Sequence, residues 1–131
     1  LFALYEFLSD GGHQGAEWQS RNRRSQVHRL RELLQSLENE ALPLIRTKAE
    51  EEDVFLAGYS LAGLFSLWCT YESDAFAGAA CCSGSVWYPG WKEFAINHSL
   101  RRKSRIYLSL GKKEKNTAKS INECSAVMFL R

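Results

Sequence analysis

Covalent chemistry, if this chain performs any, is written in the stretch Phe55-Leu56-Ala57-Gly58-Tyr59-Ser60-Leu61-Ala62-Gly63. A short apolar run ends in a serine, and the residues after the serine repeat with helical spacing. A strand that turns so sharply into a helix lifts the serine at its apex above the sheet, the arrangement of a nucleophile elbow. Such a turn forces helix backbone against strand backbone, so small residues are required two places before and after the serine. Gly58 meets the demand on one side. On the other stands Ala62, followed by Gly63, which makes the pattern G-x-S-x-A-G in place of the strict form. An elbow also sets Ser60 at a helix N-terminus, where the dipole favours developing negative charge and the Leu61 backbone N–H becomes an oxyanion donor. The competing view is that Ser60 simply caps the helix; the strand before it and the helix after it favour the elbow.

A serine nucleophile needs a base, and the base an orienting acid. In elbow-type sites they follow in the order nucleophile, acid, histidine, with the acid just past a later strand. Glu114, three residues beyond the Gly111 that stops the run Ile106 to Leu110, stands in the place for the acid. A solvated glutamate among Lys112, Lys113 and Lys115 is the alternative. Asp74, at a helix exit, is a weaker candidate and reads as a cap or turn residue. His13, His28 and His98 all precede Glu114, and no histidine follows it through Arg131. His28 falls on the polar side of a helix and His98 in a connecting turn, both surface positions. His13, in a loop with Gly11, Gly12 and Gly15, stays open as a contributor.

The elements that must position these groups are marked by apolar periodicity. After an apolar opening, Phe2 to Leu8, residues Ser9 to Ser25 read as a long polar loop. Val27, Leu30, Leu34 and Leu37, with Leu33 widening the stripe, predict an amphipathic helix from Gln26 that Pro43 ends or restarts. Val54 to Ala57, closed by Gly58, predicts a strand buried on both faces of a parallel sheet. Leu61, Leu64, Phe65 and Trp68 share one face of the helix after Ser60, which exits at Ser73 and Asp74. Ala77 to Cys82 predicts the next strand, Trp91 to Asn97 a helix, and Ile106 to Leu110 a third strand. Apolar runs about 25 residues apart leave room for crossover helices, which favours parallel βαβ units over hairpins.

The bulk numbers fit one globular domain. The chain has 131 residues, 45% hydrophobic and 24% charged, a balance foreign to disordered and membrane-spanning chains. No apolar run approaches the roughly 20 residues that cross a bilayer. A formal net charge of +2 argues against nucleic-acid binding despite the Arg21, Arg23, Arg24 and Arg101, Arg102, Lys103 clusters, which read as solvated turns. Cys69, Cys81, Cys82 and Cys124 have neither metal-ligand spacing nor disulfide-scaffold density, so reduced thiols and a cytoplasmic location are expected. No metal or organic cofactor is implied.

Three blocks together carry a resemblance. Ala57-Gly-Tyr-Ser-Leu-Ala-Gly-Leu-Phe65, Cys82-Ser-Gly-Ser-Val-Trp-Tyr-Pro-Gly90 and Ile106-Tyr-Leu-Ser-Leu-Gly-Lys-Lys-Glu114 resemble successive blocks of bacterial esterases in the esterase D and siderophore-esterase branch of the α/β-hydrolase superfamily. The likeness is clearest over 53–116. It implies a three-layer α/β-hydrolase-type parallel sheet and a serine esterase working through an acyl-enzyme, with Ser60 as nucleophile and Glu114 as acid. Members carry the histidine near the C-terminus after a further strand and helix, so the chain, residues 1–131, is expected to be a partial, truncated domain.

These expectations give a hydrolase of carboxylic esters acting on a small-molecule substrate, with no nucleic-acid or membrane partner. Trp87 and Tyr88, past a strand end on the Ser60 side of the sheet, are candidates to line its pocket, against ordinary aromatic packing. Two rivals stand beside this reading: a non-catalytic fragment or interaction module lacking the catalytic histidine, and an acyltransferase. Substrate identity, the source of the base and oligomeric state are not encoded in these patterns.

Overall fold

Short apolar segments bounded by turn residues form three strands, β1 (Phe55–Tyr59), β2 (Gly78–Cys82) and β3 (Arg105–Ser109). Helix α2 (Leu61–Glu72) joins the first pair and α3 (Trp91–Asn97) the second. The computed structural model describes residues 27–48 and 53–111. They belong to two units, Leu1–Glu52 and Asp53–Arg131.

In the second unit the strands run parallel in the order β1-β2-β3, with Ala57 opposite Ala80 and Ala80 opposite Tyr107. This is the α/β class that the alternation of runs predicts. Sequential parallel order puts the C-terminal ends of all three strands along one edge, the edge on which ligands bind in open α/β folds. At the opposite edge Asp53 pairs with Arg105 at 2.7 Å and Arg102 at 3.6 Å. The Arg105 guanidinium also lies over the Phe55 ring, 4.7 Å from its centroid. Arg101 and Arg102 donate to the carbonyls of Tyr71 and Asp74, which makes this arginine cluster part of a turn that ties the helix exit to β3.

Helix α2 packs on the face that carries Leu56, Gly58, Ala79 and Cys81. Its buried stripe is not led by Phe65 and Trp68, as spacing predicts. Leu61 and Leu64 are buried as expected, together with Gly63, Ser66, Leu67, Cys69 and Thr70, while Phe65 and Trp68 are half-buried and stack on each other at 5.8 Å. Gly63, which has no Cβ, lets the helix approach the sheet closely. Ser66 and Thr70 hide their hydroxyls by donating to the carbonyls of Ala62 and Leu67, at 2.8 and 2.7 Å, so their burial leaves no unmet donor.

Burial of β1 on both faces is likewise corrected. Phe55, Ala57 and Tyr59 are exposed and alternate with half-buried Leu56 and Gly58. Among the described elements of this unit, α2 packs on β1 and covers the face of Leu56 and Gly58.

The first unit presents α1 (27–48), continuous through Pro43. Its regular start over 27–36 passes through a π-helical turn, Leu37–Ala41, into Leu42–Lys48. Pro43 neither ends nor restarts the helix. The Leu42 N–H reaches back five residues to the Leu37 carbonyl, and such a widened turn gives a proline ring room inside a helix that continues. Leu34 and Leu42 are buried, whereas Val27 and Leu33 are exposed, so the apolar stripe is narrower than its sequence suggests.

Candidate active site

Ser60 sits where β1 ends and α2 begins, with φ 55° and ψ −118°. Few non-glycine residues hold a backbone conformation of this kind, and it is kept only where the surroundings impose it. The imposing groups are main-chain. The Ser60 N–H donates to the Cys82 carbonyl at 3.0 Å, and the Ser60 carbonyl accepts from the N–H groups of Leu64, at 3.2 Å, and Ser85, at 3.0 Å. Strand β2 and the loop after it therefore close the turn from one side, and α2 closes it from the other.

Two glycines make this closure possible. A Cβ on Gly58 would collide with the Ala62 carbonyl, and one on Gly63 would lie 2.9 Å from the Gly58 carbonyl oxygen and 3.3 Å from the Cys82 nitrogen. The close approach therefore falls on Gly58 and Gly63. Ala62 meets Gly58 through its carbonyl and is itself half-buried, so alanine serves in the position where the strict motif has glycine.

The N-cap alternative for Ser60 does not hold, since its side chain makes no capping hydrogen bond. Its Oγ instead lies 3.3 Å from the Oγ of Ser85, which is 2% exposed. Among the described residues the Leu61 N–H, first in α2, has no backbone acceptor. It lies at the positive end of a 12-residue helix. The turn thus sets a hydroxyl beside a helix N-terminal amide, the placement that a nucleophile and an oxyanion donor require once a base is supplied.

Beneath the turn, burial pushes the Cys81 thiol up to about 11, with neighbouring Cys82 adding to the rise and a Gly84 backbone hydrogen bond opposing it. Cys81 is thus a neutral core residue at physiological pH. Cys69, Cys81 and Cys82 are not joined in disulfides. Among the described residues no cluster of histidine, cysteine, aspartate and glutamate could hold a metal ion, and no helix is long and apolar enough to cross a membrane.

The family model described as Putative esterase matches residues 6–128. The chain belongs to this esterase family. The match contains all three blocks on which the resemblance rests and extends well beyond them on both sides. No match is found among curated proteins or solved structures.

The other candidates of this esterase-family chain are placed unevenly. Trp87 is exposed and Tyr88 half-buried, in the segment that leaves the C-terminal end of β2, the same edge as Ser60. Asp74 follows the far end of α2, about 18 Å of helix from Ser60, and does not join the site. His98 is also remote. Its Nδ1 is 2.8 Å from the Phe94 carbonyl and its ring stacks on Phe94 at 4.2 Å, while Phe94 packs on Tyr71 near that same far end. His28 is exposed on α1, 3.3 Å from Glu32. Glu114 and His13 lie outside the described residues. Ser85 is the residue that sequence reasoning missed. It was visible only as part of the block Cys82 to Gly90, and no spacing rule links it to a serine 25 positions earlier.

Proposed function

We propose that the chain is a serine esterase that cleaves carboxylic esters through an acyl-enzyme on Ser60. The observation that carries this reading is the Ser60 backbone, held at φ 55° and ψ −118° with its hydroxyl withheld from capping. Membership of an esterase family supplies the reaction class. In the proposed reaction Ser60 Oγ attacks the ester carbonyl carbon as a general base takes its proton. The Leu61 N–H then stabilises the oxyanion, and collapse expels the alcohol with a proton returned by the base. Water repeats the sequence on the acyl-enzyme, releasing the acid and restoring Ser60.

In this reading a histidine takes the Ser60 proton and Glu114 orients it. The C-terminal end of β3 supports the part given to Glu114, because Ser109 accepts the Ser83 N–H at 2.7 Å on the Ser60 edge. Trp87 and Tyr88 line the substrate pocket in this reading.

The test is a fluorophosphonate probe on the full protein, with the adduct located by peptide mass mapping and p-nitrophenyl ester turnover measured in parallel. Labelling at Ser60 together with turnover, both lost in Ser60→Ala, is the expected result. A protein that melts cooperatively yet takes no label would overturn the reading.

A further inference from the structure

We propose that Ser85 is a second hydroxyl of the reaction centre, donating a hydrogen bond to Ser60 Oγ as Ser60 surrenders its proton. The inference rests on Ser60 being the nucleophile. Two oxygens 3.3 Å apart make one hydrogen bond, and either could be the donor, so the chemistry must assign it. A serine hydroxyl has one proton and two acceptor sites. For Ser60 to attack a carbonyl, its proton must face the base and cannot also serve Ser85. Ser60 Oγ is then the acceptor, and the Ser85 proton points at the oxygen on which negative charge develops.

The surroundings hold this polarity in place. Ser85 is 2% exposed, so little water is at hand to replace a lost partner, and a buried hydroxyl without one is costly. The Ser85 N–H is anchored on the Ser60 carbonyl at 3.0 Å, which fixes the two residues relative to each other through main chain. The contact then depends only on the χ1 rotamers of two short side chains.

The bond strengthens where the reaction needs it. As the Ser60 O–H bond breaks and the Oγ–carbon bond forms, Oγ carries partial negative charge. It does so again when the deacylation intermediate collapses and Oγ leaves carbon with the electron pair, before the base returns its proton. Ser85 keeps its own proton throughout. Hydrogen bonds to ionised acceptors are roughly twice as strong as neutral ones, so removing the donor should slow both steps by roughly ten- to a hundredfold.

The experiment compares Ser85→Ala, Ser85→Thr and Ser85→Cys in the full protein, reading the saturating rate of Ser60 labelling and the half-saturating concentration of a fluorophosphonate. The Ala variant is expected to lose roughly tenfold or more in saturating rate with half-saturation unchanged, and hydroxyl-bearing Thr to recover most of it. An Ala variant as fast as the parent, or Ala and Thr variants equally slow, overturns the donor role. Should Ala or Thr fail to melt cooperatively, Ser85→Cys preserves the size with a weaker donor. A slowed Cys variant then supports the role and a parental rate overturns it. Absence of labelling in the parent would instead strike at Ser60 as nucleophile, so the two failures are told apart.

Discussion

Ser60 keeps a backbone that a Cβ disfavours, and this yields a test independent of activity. Glycine is usually the costlier residue in a folded chain, because it loses the most conformational freedom. At φ 55° and ψ −118° the order should invert, with Ser60→Gly more stable than Ser60→Ala by about 1 kcal/mol. Urea unfolding midpoints of the two variants check this, and an Ala variant as stable as the Gly one would mean that the turn carries no strain. Cys81 gives a second prediction. Its thiol stays neutral in the fold up to about 11, against an ordinary value of 9.0, so the unfolded chain loses that proton first as pH rises. The stability linked to Cys81 is then complete below pH 9 and falls as pH climbs toward 11. A Cys81→Ala variant should show a flatter decline over that window in pH-dependent melts.

Elements carry their own consequences. The π turn Leu37–Ala41 lets α1 run on through Pro43, so part of the roughly 3 kcal/mol that an interior proline costs has already been relieved. Pro43→Ala is expected to stabilise the helix by about 1 kcal/mol and raise far-ultraviolet helical signal slightly. A destabilised variant would show that the proline defines the turn. The strands were legible within a residue or two because each is a compact apolar run ended by turn residues, and α2 was legible from Leu61 and Leu64. What the runs could not tell is which face is covered. Phe55 and Ala57 belong to a run that reads as buried on both faces, yet burial is decided by what packs on a face, and α2 takes the other one at Gly58 through Gly63.

At the scale of the whole molecule, β2 is the strand on which the second unit is organised. It pairs with β1 and β3, lies under α2, and at its C-terminal end receives the N–H of Ser60. Its amides should be the slowest to exchange with deuterium in that unit, with β3 following. Faster exchange in Gly78–Cys82 than in Arg105–Ser109 would refute this order. The same centrality explains why the site was only half legible. Gly58, Ser60 and Gly63 announce themselves because elbow geometry is local to a few consecutive residues. Ser85 reaches Ser60 only through the pairing of β1 with β2, a relation between distant segments that no local spacing records.

The backbone of the Ser60 turn is held by peptide groups, those of Cys82, Leu64 and Ser85. Peptide groups are common to every residue except for the N–H that proline lacks. Apart from the Ser85 hydroxyl, side chains around the turn can therefore diverge while the Ser60 hydroxyl keeps its station, provided Gly58 and Gly63 stay bare. Where the hydroxyl stands and what is brought to it can thus be inherited separately, and a lineage could exchange one substrate for another without rebuilding its nucleophile.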